Sequence, residues 1–93
     1  MNEKFYVYTL LSLKDNNVYV GFTKDLDNRI KTHNDGKVKS TKNRLPVKLI
    51  YWEGCLNQSD ATGREKYLKS SWGKRFIKNR LKNYFEGIIN EKK

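Results

Sequence analysis

Two short runs rich in β-branched and aromatic residues, Phe5–Leu13 and Val18–Phe22, flank Asp15-Asn16-Asn17, and this constrains the fold more than any other feature. Runs of that composition suit extended, pleated backbone. Asn and Asp tolerate the left-handed geometry that a tight reversal needs. Residues 5–22 are therefore expected to form a β-hairpin. Side chains alternate between the faces of a strand. Phe5, Val7, Leu11 and Leu13 alternate with Tyr6, Tyr8, Leu10 and Ser12, while Val18, Val20 and Phe22 alternate with Tyr19 and Gly21. With an even number of loop residues, opposed positions sum to an odd number. Tyr8, Tyr19 and Gly21 then share one face, the two tyrosines are neighbours, and the aliphatic set takes the other face.

Beyond the hairpin, Thr23 or Asp25 can cap a helix running through Asp27, Arg29, Ile30 and His33 and ending near Gly36. Arg29 and His33 are four apart and project from one side of it. Residues 37–48 carry Lys37, Lys39, Lys42, Arg44 and Lys48 with no acid, and read as a mobile basic loop ending in Pro46. Val47–Cys55 reads as a third strand. Ser59 or Asp60 can cap a second helix reaching about Ser71. Gly73 is expected to mark a break before a third helix from Lys74 to Ile89, whose apolar residues recur at helical spacing. The pattern predicts an α/β (α+β) sandwich, with a small, mainly antiparallel three-stranded sheet flanked by about three helices.

The chain has 93 residues, room for one domain with one modest core, so residues 1–93 are read as a single domain. Lys and Arg number 20 against 10 Asp and Glu, a formal charge of +10. That much like charge opposes compaction and points to an anionic partner. Nucleic acid comes first, with a membrane surface or ribosome behind it. Cys55 is the only cysteine, so an intramolecular disulfide is excluded, and one Cys with one His makes a structural zinc site a poor fit. No segment is long and apolar enough to span a bilayer. The opening residues lack the apolar core of a signal peptide, so a cytoplasmic, intracellular protein is expected.

Taken singly, the polar residues are ambiguous. Glu65 falls between Ala61, Leu68 and Trp72 on a helical stripe, where a lone carboxylate calls for a cation, an Arg or a Lys. It can equally lie at the stripe's edge and pair with Lys69 in solvent. The tyrosines can be ordinary sheet residues, His33 a surface histidine and Arg29 a solvated charge. Gly21 permits close approach of a phosphate or of neighbouring backbone, or marks a strand bulge. Trp52 and Trp72 fit core packing better than stacking on unpaired bases.

Jointly the pattern is specific. Tyr6-Val7-Tyr8, then Tyr19-Val20-Gly21, then Arg29, His33 and a distant Glu65 resembles the GIY-YIG nuclease family. The match runs from the first strand through the second helix. It is of the small standalone bacterial type, similar to the N-terminal nuclease domain of the excision-repair endonuclease. The family's opening glycine is Tyr6 here, a departure that affects packing and removes no reacting group.

The resemblance implies a divalent-metal-dependent endonuclease acting on DNA more than RNA, with one Mg²⁺ or Mn²⁺ held by Glu65. Tyr8 would position or deprotonate the attacking water, with Tyr19 and His33 assisting. Arg29 would bind the non-bridging oxygens as their charge grows. A phenol's ordinary pKa of about 10 means that a base role for Tyr8 calls for neighbouring positive charge. The family usually has a late Asn or Lys near the site, a place for which Asn79 and Asn83 compete. The basic residues Lys37, Lys39, Lys42, Arg44, Lys74, Arg75 and Lys78 are expected to contact phosphates. A partner protein would supply targeting. The rival readings are a nucleic-acid binding module that keeps the fold without turnover, and an adaptor for an acidic protein or ribosome.

Overall fold

A computed structural model describes residues 3–91. Strands β1 (Phe5–Ser12) and β2 (Val18–Thr23) form the expected hairpin, followed by α1 (Leu26–Asn34), β3 (Val47–Cys55), α2 (Gln58–Leu68), α3 (Ser71–Arg80) and α4 (Lys82–Glu91). The sheet is antiparallel throughout, in the order β2-β1-β3. Six residues separate the paired positions Leu11 and Val18. That even number sets Tyr8 opposite Gly21 and Leu10 opposite Tyr19, as side-chain alternation requires. Asn16 takes the left-handed conformation, with φ 62°, and the Asp15 carboxylate accepts from the Asn17 amide at 2.9 Å.

The central strand β1 is covered on both sides. On one face Phe5, Val7 and Val20 pack against Ala61 and Leu68 of α2 and Ile77 of α3. On the other, Tyr8, Leu10 and Val47 pack with Leu26 and Ile30 of α1 and with Leu45 and Leu49. The β1–β3 register slips once: Thr9 faces Tyr51 while Leu10 faces Leu49, leaving Ile50 as an extra, bulged residue. The bulge brings Trp52 opposite Tyr8. A clasp secures β3 to α2. Arg64 donates twice to the Glu53 carboxylate, both at 2.9 Å, and stacks over Phe76 and Tyr67.

The reading of the first helix holds, and those of the later ones change. Asp25 caps α1, accepting from the Asn28 amide, and the chain turns away at Gly36 with φ 78°. The second helix is capped by Asn57 rather than by Ser59 or Asp60. It ends at Leu68, and Ser70 caps a new helix that contains Gly73. The expected long third helix is interrupted at Leu81, so four helices surround the sheet. Trp72 therefore belongs to α3 and is 65% exposed, and Trp52 is 54% exposed, so neither is core.

Gly73 closes the elbow between α2 and α3. A Cβ there would overlap the backbone of Tyr67 and Leu68, which cannot swing aside as a side-chain tip can. Replacing a helical glycine by alanine ordinarily stabilises by about 1 kcal/mol. Here Gly73→Ala is expected to destabilise by about 1–3 kcal/mol through overpacking, read as a lower urea midpoint at unchanged slope.

Candidate active site

Tyr8 sits in the middle of β1 with no exposed surface, and its ring crosses the hairpin to lie over Gly21. A side chain at position 21 would overlap that ring. The close approach inferred for this glycine is thus made by a neighbouring tyrosine. The bulge lies on the other side of β1, at Ile50. Tyr19 flanks Tyr8, with ring centroids 6.4 Å apart.

Helix α1 supplies the next two groups from one side, because Arg29 and His33 are a helical turn apart. His33 Nε2 is 2.8 Å from the Tyr8 hydroxyl, and Arg29 Nε donates to the same oxygen at 3.3 Å. The imidazole also meets the Tyr19 ring edge-on, with centroids 5.2 Å apart. His33 is fully buried, so it is no surface histidine. Its second nitrogen, Nδ1, lies 2.7 Å from the hydroxyl of Thr41, which is 1% exposed.

Thr41 is a member of the cluster that no sequence motif marks. Nor is the basic segment around it a mobile loop, as its composition suggests; it forms turns pinned at several points. Val38 and Thr41 are buried, the Val38 carbonyl accepts from the Thr41 and Lys42 amides, and Ser12 Oγ donates to the Arg44 carbonyl at 2.7 Å. The Asn34 side-chain amide ties the end of α1 to Val47, donating to its carbonyl and accepting from its amide. Nothing local singles Thr41 out, because Val38, Ser40 and Asn43 are equally uncharged neighbours within the lysine-rich run.

The electrostatics follow from burial. Desolvation pushes the Tyr8 phenol above its usual range. The Arg29 hydrogen bond pulls it down, and Tyr19 and Glu65 add to the rise. The lowering expected from Arg29 is therefore outweighed within the protein itself. The bond to Tyr8 holds the Arg29 guanidinium above its ordinary value despite partial desolvation, so it stays charged. Burial, reinforced by the Arg29 charge, lowers His33 to about 4, so the imidazole is neutral near pH 7. A neutral imidazole has one donor and one acceptor nitrogen. The directions of its bonds to Tyr8 and Thr41 are thus linked.

Glu65 lies on α2, across the sheet from α1, yet its charge is felt at Tyr8. It pairs with Lys69 at 3.0 Å, the simpler of its two sequence readings, but its side chain is only 22% exposed and so largely withdrawn from solvent. Among the described residues, no three His, Cys, Asp or Glu side chains converge as a metal cluster. Asn79 and Asn83 are both exposed, on α3 and α4, and neither joins the Tyr8 cluster by a hydrogen bond. Lys37, Lys39 and Lys42 are exposed on the turn segment that carries Thr41. Arg44, Lys74, Arg75 and Lys78 line a groove beside the hairpin turn.

A tyrosine on the central strand, locked over a glycine, is thus joined to an arginine and a histidine one helical turn apart. Residues 4–79 match the model of the GIY-YIG catalytic domain. Relatives include UPF0213 protein CPE1444 of Clostridium perfringens, 48% identical over 65 residues, which are 69% of this chain and 69% of the relative. UPF0213 protein YazA of Bacillus subtilis is 48% identical over 69 residues, 73% of this chain and 67% of that one. The solution NMR structure of UPF0213 protein BH0048 from Bacillus halodurans is similar at a TM-score of 0.50 and 35% identity, covering 80% of this chain and 81% of its own. The chain belongs to the GIY-YIG family of nuclease domains.

Two measurements probe this cluster. The folded His33 pKa of about 4 lies below the ordinary 6.5, so the unfolded chain binds a proton that the folded one refuses. Its contribution to stability is complete above pH 6.5 and is lost as pH falls toward 4. The difference between the urea-derived stability curves of wild type and His33→Gln is expected to slope in that window and to be flat above it. Separately, Thr41→Val leaves a buried imidazole nitrogen without its partner and should lower stability by about 1–3 kcal/mol, while Thr41→Ser retains most of it. Equal urea midpoints for the valine variant and wild type would exclude a structural role for that bond.

Proposed function

We propose that the protein is a divalent-metal-dependent endonuclease that hydrolyses phosphodiester bonds, in DNA more than in RNA. The observation that carries this reading is the Tyr8 hydroxyl, held at once by His33 and Arg29 with Tyr19 alongside. A purely structural tyrosine needs one partner. This one meets a fixed cation and a neutral imidazole.

Tyr8 is the base in this reading. A protonated phenol must pass on its own proton before it can take one from water, and His33 Nε2, 2.8 Å away, is the acceptor. Thr41 then accepts from Nδ1–H and keeps the imidazole in the tautomer that leaves Nε2 free. An imidazole depressed to about 4 resists protonation, but one of its two causes is the Arg29 charge. A phosphate docked on Arg29 offsets that charge, so the relay becomes more favourable when substrate is bound. Arg29 stabilises the non-bridging oxygens as negative charge grows on them. Tyr19 packs against both Tyr8 and His33 and orients them.

The half-buried Glu65 side chain, with only Lys69 as ion partner among the described residues, fits a single hard cation such as Mg²⁺ or Mn²⁺. Such ions commonly take one or two carboxylates and complete their shell with water and phosphate oxygens. When bound there, the ion would polarise the phosphate and help the leaving oxygen depart. The lysines of the turn segment and the basic residues of α3 supply affinity for the phosphate backbone.

The test is nicking of supercoiled plasmid with Mg²⁺ or Mn²⁺. Wild type is expected to nick, while Glu65→Gln and Tyr8→Phe are each expected to lose about a hundredfold or more in rate. Equal nicking by all three proteins would sink the assignment. So would inactivity of wild type on plasmid, branched and single-stranded substrates alike.

A further inference from the structure

The hairpin turn, Arg44 and helices α3 and α4 enclose an open groove of about 1020 Å³, lined by none of Tyr8, Tyr19, Arg29 or His33. Its apolar lining comes from Val18, Ile77 and Phe85. Lys74, Arg75, Lys78 and Lys82 stand around these, joined by Arg44 from the turn segment, with Glu86 the single acid. Among the described residues, Lys74, Lys78 and Lys82 pair with no carboxylate. Arg44 is offset by Asp15 at 3.8 Å, but the cations of α3 and α4 gathered beside it repel one another, a cost without benefit to the fold. Outside the lining itself, the exposed Trp72 of α3 carries the guanidinium of the lining residue Arg75 over its ring at 5.0 Å.

We propose that this groove holds an unpaired segment of the nucleic-acid substrate, with phosphates on the basic rim and bases against the apolar lining and Trp72. The proposal rests on the nuclease reading above and adds the class of substrate. Two observations favour a single strand over continuous duplex. First, a duplex presents phosphates and sugars outward and hides its base faces in the stack, so it has nothing to offer an apolar surface; unpaired bases do. Second, the path from the reaction centre is short and bent. Val18, in the groove, is three residues from Gly21 beneath Tyr8, roughly 10 Å along the strand. Val18 and Tyr19 are adjacent on a strand and point to opposite faces, so substrate reaching both must turn around β2, the edge strand. Duplex DNA, with a persistence length of about 150 base pairs, does not bend around an edge at that scale, whereas a single strand does. The groove's volume is at the top of the range of roughly 300–1,000 Å³ typical of small-ligand pockets, which suits a segment longer than one nucleotide.

Fluorescence anisotropy in EDTA, where metal-dependent cleavage is suppressed, measures this directly with a labelled single strand and a blunt duplex of the same length. Wild type is expected to bind the single strand more tightly. The variant Lys74→Ala/Lys78→Ala/Lys82→Ala changes only exposed side chains, and an unchanged melting temperature will verify its fold. It is expected to bind the single strand about tenfold or more weakly, with a salt slope reduced by about 2. Trp72→Ala should weaken single-strand binding and leave duplex binding unchanged.

A preference for duplex, unchanged single-strand affinity in the triple variant, or tighter binding of a poly-glutamate peptide than of the oligonucleotide would each overturn the proposal. Plasmid nicking reports separately on the catalytic reading. Nicking without single-strand preference removes only the groove's role, and single-strand binding without metal-dependent cleavage of any substrate removes only turnover.

Discussion

The Tyr8 hydroxyl and the His33 imidazole meet at 2.8 Å between the sheet and α1, and the rest of that face is arranged around their contact. It joins the central strand to the helix at a point with no exposed surface, where an unmatched polar group is costly. Each neighbour satisfies a remaining demand. Arg29 donates to the phenol oxygen, Thr41 partners the far nitrogen, Gly21 makes room for the ring, and Asn34 holds the end of α1 to β3. The turn segment after α1 is therefore fixed by the site as much as by its own backbone bonds.

The two faces of the sheet solve the burial problem differently. Against α2 and α3 the core is apolar, and a tight elbow at Gly73 sets the angle between the helices. Against α1 the core carries polar groups whose hydrogen bonds must all be made together, which yields a defined geometry at the expense of hydrophobic gain. One thin sheet thus separates an apolar face from a face whose core is polar and hydrogen-bonded. Glu65, on the first of these, acts electrostatically on the second.

What is legible in the sequence is local and periodic. Alternation places Tyr8, Tyr19 and Gly21 together, helical spacing sets Arg29 beside His33, and the third strand falls where its composition puts it. The bulge at Ile50 is not legible, because one extra residue in a short apolar run leaves no trace in a two-residue period. The stripe running from Ala61 to Trp72 misleads for a different reason. Helical periodicity carries no mark of a chain that stops at Leu68 and restarts from Ser70 with a new axis. Gly73 looks like a breaker because composition cannot distinguish a helix end from a place where two backbones touch. Thr41 escapes because its partner is eight residues away, across a segment whose charges dominate its appearance.

The complete burial of Tyr8 and His33 bears on how this fold can age. Both residues fill the interior as well as bonding to each other, so drift at either position threatens the folded chain itself. Arg29 and Glu65 are cheaper to lose, since each sits nearer solvent and fills less of the interior. A descendant freed from selection for turnover would shed its charged groups first and carry its buried tyrosine and histidine long afterwards. The retained pair would then be a fossil of ancestry, and the arginine and glutamate the better witnesses to a working enzyme.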